Sequence, residues 1–162
     1  MFSFSKFEKD IKSNLNNSSE VLINNLNQIM PINFNTNIDL IDFEIFIEPT
    51  QFEIDIMMFS MDKEGNEVFN EKNEENCFAG SKKIVSEVKF YYDDSVLEVE
   101  EFFEKADEIE EKVIIEWFVS CWEQSTCKNI KLPIFVGIHD CLKSYDLKNN
   151  EWIDIEDKYL ES

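Results

Sequence analysis

The first thirty residues place apolar side chains at the spacing of an α-helix. These side chains recur at intervals of three, four or seven residues: Phe4, Phe7, Ile11, Leu15, Leu22, Leu26 and Ile29. Such spacing aligns them along one stripe of a helix. We expect the polar stretch Asn16–Glu20 to interrupt this helix, since Asn17 followed by Glu20 fits the capping box of a second one. Pro31 disfavours helical backbone at Met30 and ends the segment.

Residues 42–61 alternate between apolar and polar positions, which is typical of two half-buried strands. The apolar positions predict the buried face of a β-hairpin: Phe43, Ile45, Ile47, Phe52, Ile54, Ile56 and Met58. Pro49 suits the second position of a turn over Glu48–Gln51. A second turn around Gly65, which takes positive φ readily, leads to a third strand expected at Glu67–Phe69. The three strands together would form an antiparallel meander.

The remaining sequence predicts one more strand, a long helix and two further strand regions. Residues 84–92 alternate again and indicate a strand. A helix is expected from Ser95 to Glu123, because its apolar residues follow a 3.6-residue period. The stripe consists of Val99, Phe102, Ala106, Ile109, Val113, Trp117 and Cys121. Residues 132–138 indicate a buried strand, and residues 145–155 indicate a hairpin that turns at Asn149 and Asn150.

The order of helix, strands, long helix and strands predicts an α+β fold. We expect one antiparallel sheet, formed by the meander and a C-terminal hairpin. The N-terminal helical segment and the long central helix would pack on one face of this sheet. The 162 residues fit a single domain spanning 1–162, and no repeat or linker divides them. A chain of this length buries roughly 70% of its unfolded surface, so folding needs no metal or disulfide.

The charge of the chain limits the classes of molecule that it can bind. The net charge is −20, and all fifteen basic residues are lysine. Residues 1–36 are neutral, whereas residues 37–80 carry −10 and residues 81–130 carry −7. Arginine supplies the planar fork that reads bases and phosphates. Its absence and the excess of acids exclude nucleic-acid binding, and the charge favours a basic protein as partner.

Cysteine and glycine usage indicates the compartment and the cofactors. The cysteines form no CxxC pair, and they are Cys77, Cys121, Cys127 and Cys141. Charged residues near the N-terminus interrupt any signal peptide, and no apolar stretch approaches a membrane span. These features predict a cytoplasmic protein with reduced thiols and no membrane contact. The three glycines are far apart, which excludes the glycine-rich loops that cradle nucleotides, and we expect no cofactor.

One alternative is a small enzyme, a hydrolase or transferase. His139 is the only histidine and lies two positions before Cys141, so a Cys–His pair on one face of a strand is conceivable. That spacing gives poor geometry for proton transfer, and an ordinary histidine beside a buried cysteine explains the same residues. A zinc site that added Cys121 and Cys127 would lack the short paired spacings of structural zinc sites. The sequence therefore predicts no catalytic residue and no metal.

The most specific surface feature is the polar side of the first hairpin. It mixes acidic and large apolar residues, which we name the hairpin face: Asp42, Glu44, Phe46, Glu48, Glu53, Asp55, Met57 and Phe59. Like charges on neighbouring strands destabilise each other. Three arrangements would relieve this repulsion: solvent and salt screen the acids, the rest of the chain covers them, or a cationic partner covers them.

These features favour a non-enzymatic acidic domain that binds a basic protein through the hairpin face. A bacterial protein of the immunity or antitoxin type, which neutralises a basic toxin, is one concrete form of this hypothesis. The alternatives are the small enzyme that uses His139 and Cys141, and a structural or regulatory subunit that buries the hairpin face in a homodimer.

Overall fold

The computed structural model describes residues 3–71, 76–91 and 100–159. In chain order its helices and strands are α1 (Phe4–Asn16), α2 (Ser19–Asn27), β1 (Leu40–Glu48), β2 (Glu53–Met61), β3 (Ser81–Lys89), α3 (Glu100–Gln124), β4 (Ile134–Ile138), β5 (Lys143–Asp146) and β6 (Glu151–Asp154). Short 3₁₀ helices cover Thr126–Asn129 and Ile155–Tyr159. The fold is α+β, as the sequence predicts. The expected start of the long helix at Ser95 lies outside the described residues.

The N-terminal segment divides at the predicted polar stretch. α1 begins after Ser3, whose hydroxyl accepts the Lys6 N–H at 3.1 Å. α2 begins after Ser18, which makes no side-chain capping hydrogen bond. The predicted capping box at Asn17 is wrong, because this residue instead ends α1 and its backbone N–H bonds to carbonyls of that helix. None of the described helices has the length and apolar composition that crossing a bilayer demands.

Within the described residues, six strands form one mixed sheet in the order β3-β2-β1-β4-β5-β6. Neighbouring strands are antiparallel except β1 and β4, which run parallel from Ile41 beside Ile134 to Ile45 beside Ile138. The expectation of a wholly antiparallel sheet is therefore wrong at this pair. The long connection between the two strands contains α3, and parallel strands need such a crossover. Apolar alternation carries no information on strand direction.

The meander has a different third strand from the one expected. Residues 67–69 contribute a single bridge, between Met61 and Glu67, and Phe69 is 61% exposed. The strand beside β2 is β3, which overlaps the alternating region predicted at 84–92. Its register against β2 shifts, and Glu87 takes a φ of 55°, so regular alternation is lost at this bulge.

The helices pack on one face of the sheet and enclose the hydrophobic core. The Phe43 ring of β1 lies 5.2 Å from Phe118 and 6.1 Å from Trp122 of α3, measured between ring centroids. Five predicted core positions of the hairpin are fully buried on this side: Phe43, Ile45, Ile54, Ile56 and Met58. Burial of one such side chain stabilises the fold by roughly 1.5–3 kcal/mol. This burial fixes which side of the hairpin points away from the helices.

The opposite side of the sheet, which we name the outer face, carries the C-terminal 3₁₀ helix, Ile155–Tyr159. This helix follows β6 and turns back across the sheet, so that Lys158 Nζ lies 5.9 Å from the centroid of the Phe135 ring. The Tyr159 ring packs on the turn after β2, where a Cβ added to Gly65 would lie 3.3 Å away. Gly65 has a φ of 84°, as that turn was expected to allow.

Candidate functional site

The register of β1 and β2 puts the whole hairpin face on the outer face. Cross-strand neighbours are Asp42 with Phe59, Glu44 with Met57, Phe46 with Asp55, and Glu48 with Glu53. These pairs alternate with the buried pairs on the helix side, as the two-residue period of a strand requires. Only the last pair sets two carboxylates directly opposite each other. The register therefore avoids most of the repulsion that the acidic composition suggests.

Asp42 is the member of the hairpin face that lies in the interior. Its side chain is 5% exposed, and Lys158 Nζ, on a side chain 3% exposed, donates to Asp42 Oδ2 at 2.8 Å. Burial raises the pKa of the Asp42 carboxyl to about 6, although Lys158 acts to lower it. The other oxygen, Oδ1, is buried with no hydrogen-bond partner among the described residues. Asp42 is thus paired within the chain and is not open to solvent.

Glu44 and Phe46 form a cluster with His139, which directly follows β4. Glu44 Oε2 lies 2.7 Å from His139 Nδ1, and the Phe46 and His139 ring centroids are 4.4 Å apart. The pairing of β1 with β4 positions the histidine, because its backbone N–H donates to the Ile45 carbonyl at 2.9 Å. The His139 side chain is 46% exposed. The cluster therefore presents aromatic surface beside a carboxylate.

Three carboxylates near the β1–β2 turn are each held by a contact within the chain. The hydroxyl and the amide of Thr50 donate to Glu48 and hold its pKa below the usual range. Glu53 forms an ion pair with Lys89 of β3, which raises the pKa of the lysine. Asp55 Oδ1 accepts the backbone N–H of the bulged residue in β3 at 2.8 Å. These contacts fix all three carboxylates in place, but only Glu53 is neutralised by a cation.

An open pocket of about 350 Å³ lies beside this turn. Its lining combines one aromatic ring with four acidic residues: Phe46, Ile47, Glu48, Glu53, Asp55 and Glu87. Glu48 and Glu87 are exposed at its rim. Carboxylates accept the N–H groups of a lysine or arginine side chain, and an aromatic ring attracts a cation to its face. The pocket therefore has the chemistry to hold a basic side chain.

The structure does not bring together the pair considered for nucleophilic catalysis. His139 contacts Glu44 on the outer face, whereas the Cys141 thiol donates to Glu111 of α3 at 3.2 Å, on the helix side. The two residues would share a face only if β4 continued, and β4 ends at Ile138. Burial and the Glu111 carboxylate raise the pKa of the Cys141 thiol to about 12. Such a thiol supplies little of the thiolate that this chemistry needs.

The residues considered for a zinc site have separate partners. The Cys121 thiol donates to the Ser19 carbonyl at 3.9 Å. Cys127 is buried in the 3₁₀ helix after α3, and burial raises the pKa of its thiol to about 12. In residues 3–71, 76–91 and 100–159, no three His, Cys, Asp or Glu side chains are placed to share a metal ion.

Sequence reasoning missed the roles of Lys158 and Glu87. Lys158 lies 116 residues from Asp42 along the chain and belongs to an acidic segment without apolar periodicity. Glu87 reaches the pocket because a bulge turns its backbone towards Asp55. Bulges interrupt the two-residue period from which faces are assigned. The available signal for Lys158 was that it is a single lysine among acids in its segment. For Glu87, the alternating pattern offered no signal.

A second and larger groove, of about 910 Å³, lies along β4–β6 next to the C-terminal 3₁₀ helix. Basic and acidic side chains both line it, among them Lys131, Lys143, Asp154 and Asp157, together with Trp152. Since neither sign of charge dominates, the groove favours no single class of ligand.

Of these two pockets, the one beside the β1–β2 turn is therefore the one whose lining selects one class of ligand. Similarity to known proteins gives no indication of the ligand of this pocket. Comparison of the chain with protein-family models, with curated proteins and with solved structures finds no match.

Proposed function

We propose that this chain is a non-catalytic domain that binds a basic protein through the hairpin face. The observation that carries the proposal is the pocket beside the β1–β2 turn, where Glu48, Asp55 and Glu87 lie near the ring of Phe46. A lysine or arginine of the partner would enter this pocket. The half-buried Met57, which lies opposite Glu44 on the hairpin face, would contact the apolar part of the partner's side chains.

The distribution of charge supports the same proposal. Glu53 and Asp42 are paired with lysines of the chain itself. Among the described residues, Glu48, Asp55 and Glu87 form no ion pair, so their charge remains available to a partner. A net charge of −20 also attracts a cationic protein before contact and raises the rate of encounter. An immunity or antitoxin-type protein would use such a surface to cover a basic site on its target.

Capture of the partner by matched charge variants tests the proposal. Glu48→Lys with Glu87→Lys reverses two charges at the pocket, and Glu108→Lys with Glu123→Lys reverses two on α3. All four side chains are exposed, so we expect both variants to fold. At about 150 mM salt, where distant charges are screened, a basic protein from native lysate should bind the wild type and the α3 variant but not the pocket variant. Equal retention by all three, or retention by none, would overturn the proposal.

The homodimer alternative is separated by light scattering. We expect the mass of one chain, 19.2 kDa, because two copies of this charge repel each other. If the wild type has the mass of a dimer and the pocket variant has the mass of one chain, the pocket binds a second copy of this chain and not a basic partner.

A further inference from the structure

We propose that the C-terminal 3₁₀ helix is a reversible cover, which holds its own Lys158 in a second lysine-binding position of the hairpin face. This inference rests on the proposed function, because it concerns the same acidic surface. Asp42 lies two residues before Glu44 on β1 and therefore points to the same side of the sheet. The face offered to the partner thus continues beneath this helix.

The contacts of Lys158 are those that a lysine of the partner would make. Its Nζ donates to Asp42 Oδ2 at 2.8 Å and lies 5.9 Å from the centroid of the Phe135 ring. The pocket beside the β1–β2 turn likewise combines acidic side chains with a ring, with four acids in place of Asp42 and Phe46 in place of Phe135. An internal lysine at Asp42 competes with an external one, because both need the same carboxylate.

Few contacts hold the cover in place. Of its five residues, Lys158 is buried and Tyr159 is half-buried, whereas the three before them are exposed. Loss of hydration offsets much of the attraction in a buried ion pair. The raised pKa of Asp42 agrees with this, since burial outweighs the effect of Lys158. A segment with so few buried side chains opens at a much lower free energy than core strands do.

Opening of the cover would expose Asp42 and Phe135 as a second position for a basic side chain. A partner that reaches both positions must displace Lys158, so the cover lowers the affinity of the closed form. A partner that reaches only the pocket at Phe46 would bind without displacing it. The C-terminal 3₁₀ helix therefore acts as an autoinhibitory contact that selects partners carrying two separated cations.

Hydrogen exchange on the full chain tests the cover with defined probes: a capped heptapeptide of lysine and a capped heptapeptide of serine. The Ile155 amide, which donates to the Leu142 carbonyl at 2.9 Å, reports on the cover together with those amides that are hydrogen-bonded inside the 3₁₀ helix. We expect saturating lysine peptide to speed their exchange by at least about ten-fold relative to the serine peptide. Amides of β1 and β2 should not exchange faster.

A double variant supplies the control. Asp42→Leu with Lys158→Met removes both charges and keeps the cover seated by apolar contact, so the lysine peptide should no longer speed exchange. Exchange in the wild type that stays constant while the lysine peptide binds would overturn the cover and leave the proposed function standing. Equal acceleration in the double variant would overturn it as well. Failure of the lysine peptide to bind at all would instead contradict the proposed function.

Discussion

Asp42 should make the protein less stable at neutral pH than at mildly acidic pH. Its carboxyl is buried, and its pKa is raised from 3.8 to about 6. A group whose pKa is higher in the folded state binds protons more readily when the chain is folded, so stability from this group rises as the pH falls. The shift corresponds to about 3 kcal/mol once the pH is below both pKa values. About 1–2 kcal/mol of this is gained between about pH 7.5 and about pH 5.

Asp42→Asn removes the titration and keeps an acceptor for Lys158. The difference in unfolding free energy between variant and wild type therefore cancels the pH dependence of the other acids of the chain and leaves that of the Asp42–Lys158 pair. Urea unfolding, followed by the fluorescence of the buried Trp117 and Trp122, measures it at two pH values above the isoelectric point of 4.2. We expect the unfolding free energy of the variant minus that of the wild type to be larger at about pH 7.5 than at about pH 5, by about 1–2 kcal/mol. A difference that is equal at both pH values, or larger at the lower one, would refute the reasoning.

Three further predictions concern the core, the outer face and Cys141. Phe43→Ala should lower the unfolding free energy by about 3–5 kcal/mol in urea titrations, because it leaves a cavity beside α3, and a loss under 1 kcal/mol would contradict the packing described. Gly137→Ala would put a Cβ 2.8 Å from Ser144 Oγ, so it should cost about 1–3 kcal/mol. Adding Ser144→Gly to this variant should recover most of that loss. If no stability is recovered, the strain does not come from the contact between the new Cβ and Ser144. Cys141, whose pKa is raised to about 12, should react with a disulfide reagent at least about ten-fold more slowly than a free thiol, and an equal rate would show that it is not shielded.

The first hairpin was predictable because its pattern is long and most of its large apolar side chains are buried on the helix side. Nine residues of β1 pair with nine of β2, and a slip of one position would turn Phe43 and Ile45 towards solvent. The expected strand at Glu67–Phe69 spans only three residues, which is too short for alternation to separate a strand from a loop. Strand direction was not predictable at all, since an apolar run such as Ile134–Ile138 reads the same in either direction.

The acidic surface was predictable in its location and not in its contacts. Alternation correctly assigns Asp42 to the side away from the helices, but it cannot reveal that Lys158 covers it from 116 residues away. Glu44 likewise meets His139 across 95 residues. Such contacts depend on the order of strands in the sheet, which a local pattern does not contain. The exposed part of the hairpin face is therefore smaller than the sequence suggests, and it lies nearer the β1–β2 turn.

The edges of the sheet bear on how a partner can approach. β3 carries Lys82, Lys83 and Lys89 together with a bulge at one edge, and β6 at the other has only four residues, two of them acidic. Short strands, charged side chains and bulges all oppose the addition of another strand. The backbone of β1, by contrast, is already paired with a strand on each side. A partner on the outer face can therefore contact only the side chains of β1. Under the proposed function, the hairpin face would therefore recognise the partner through its cations, and a folded basic surface can satisfy that requirement as well as an extended segment can.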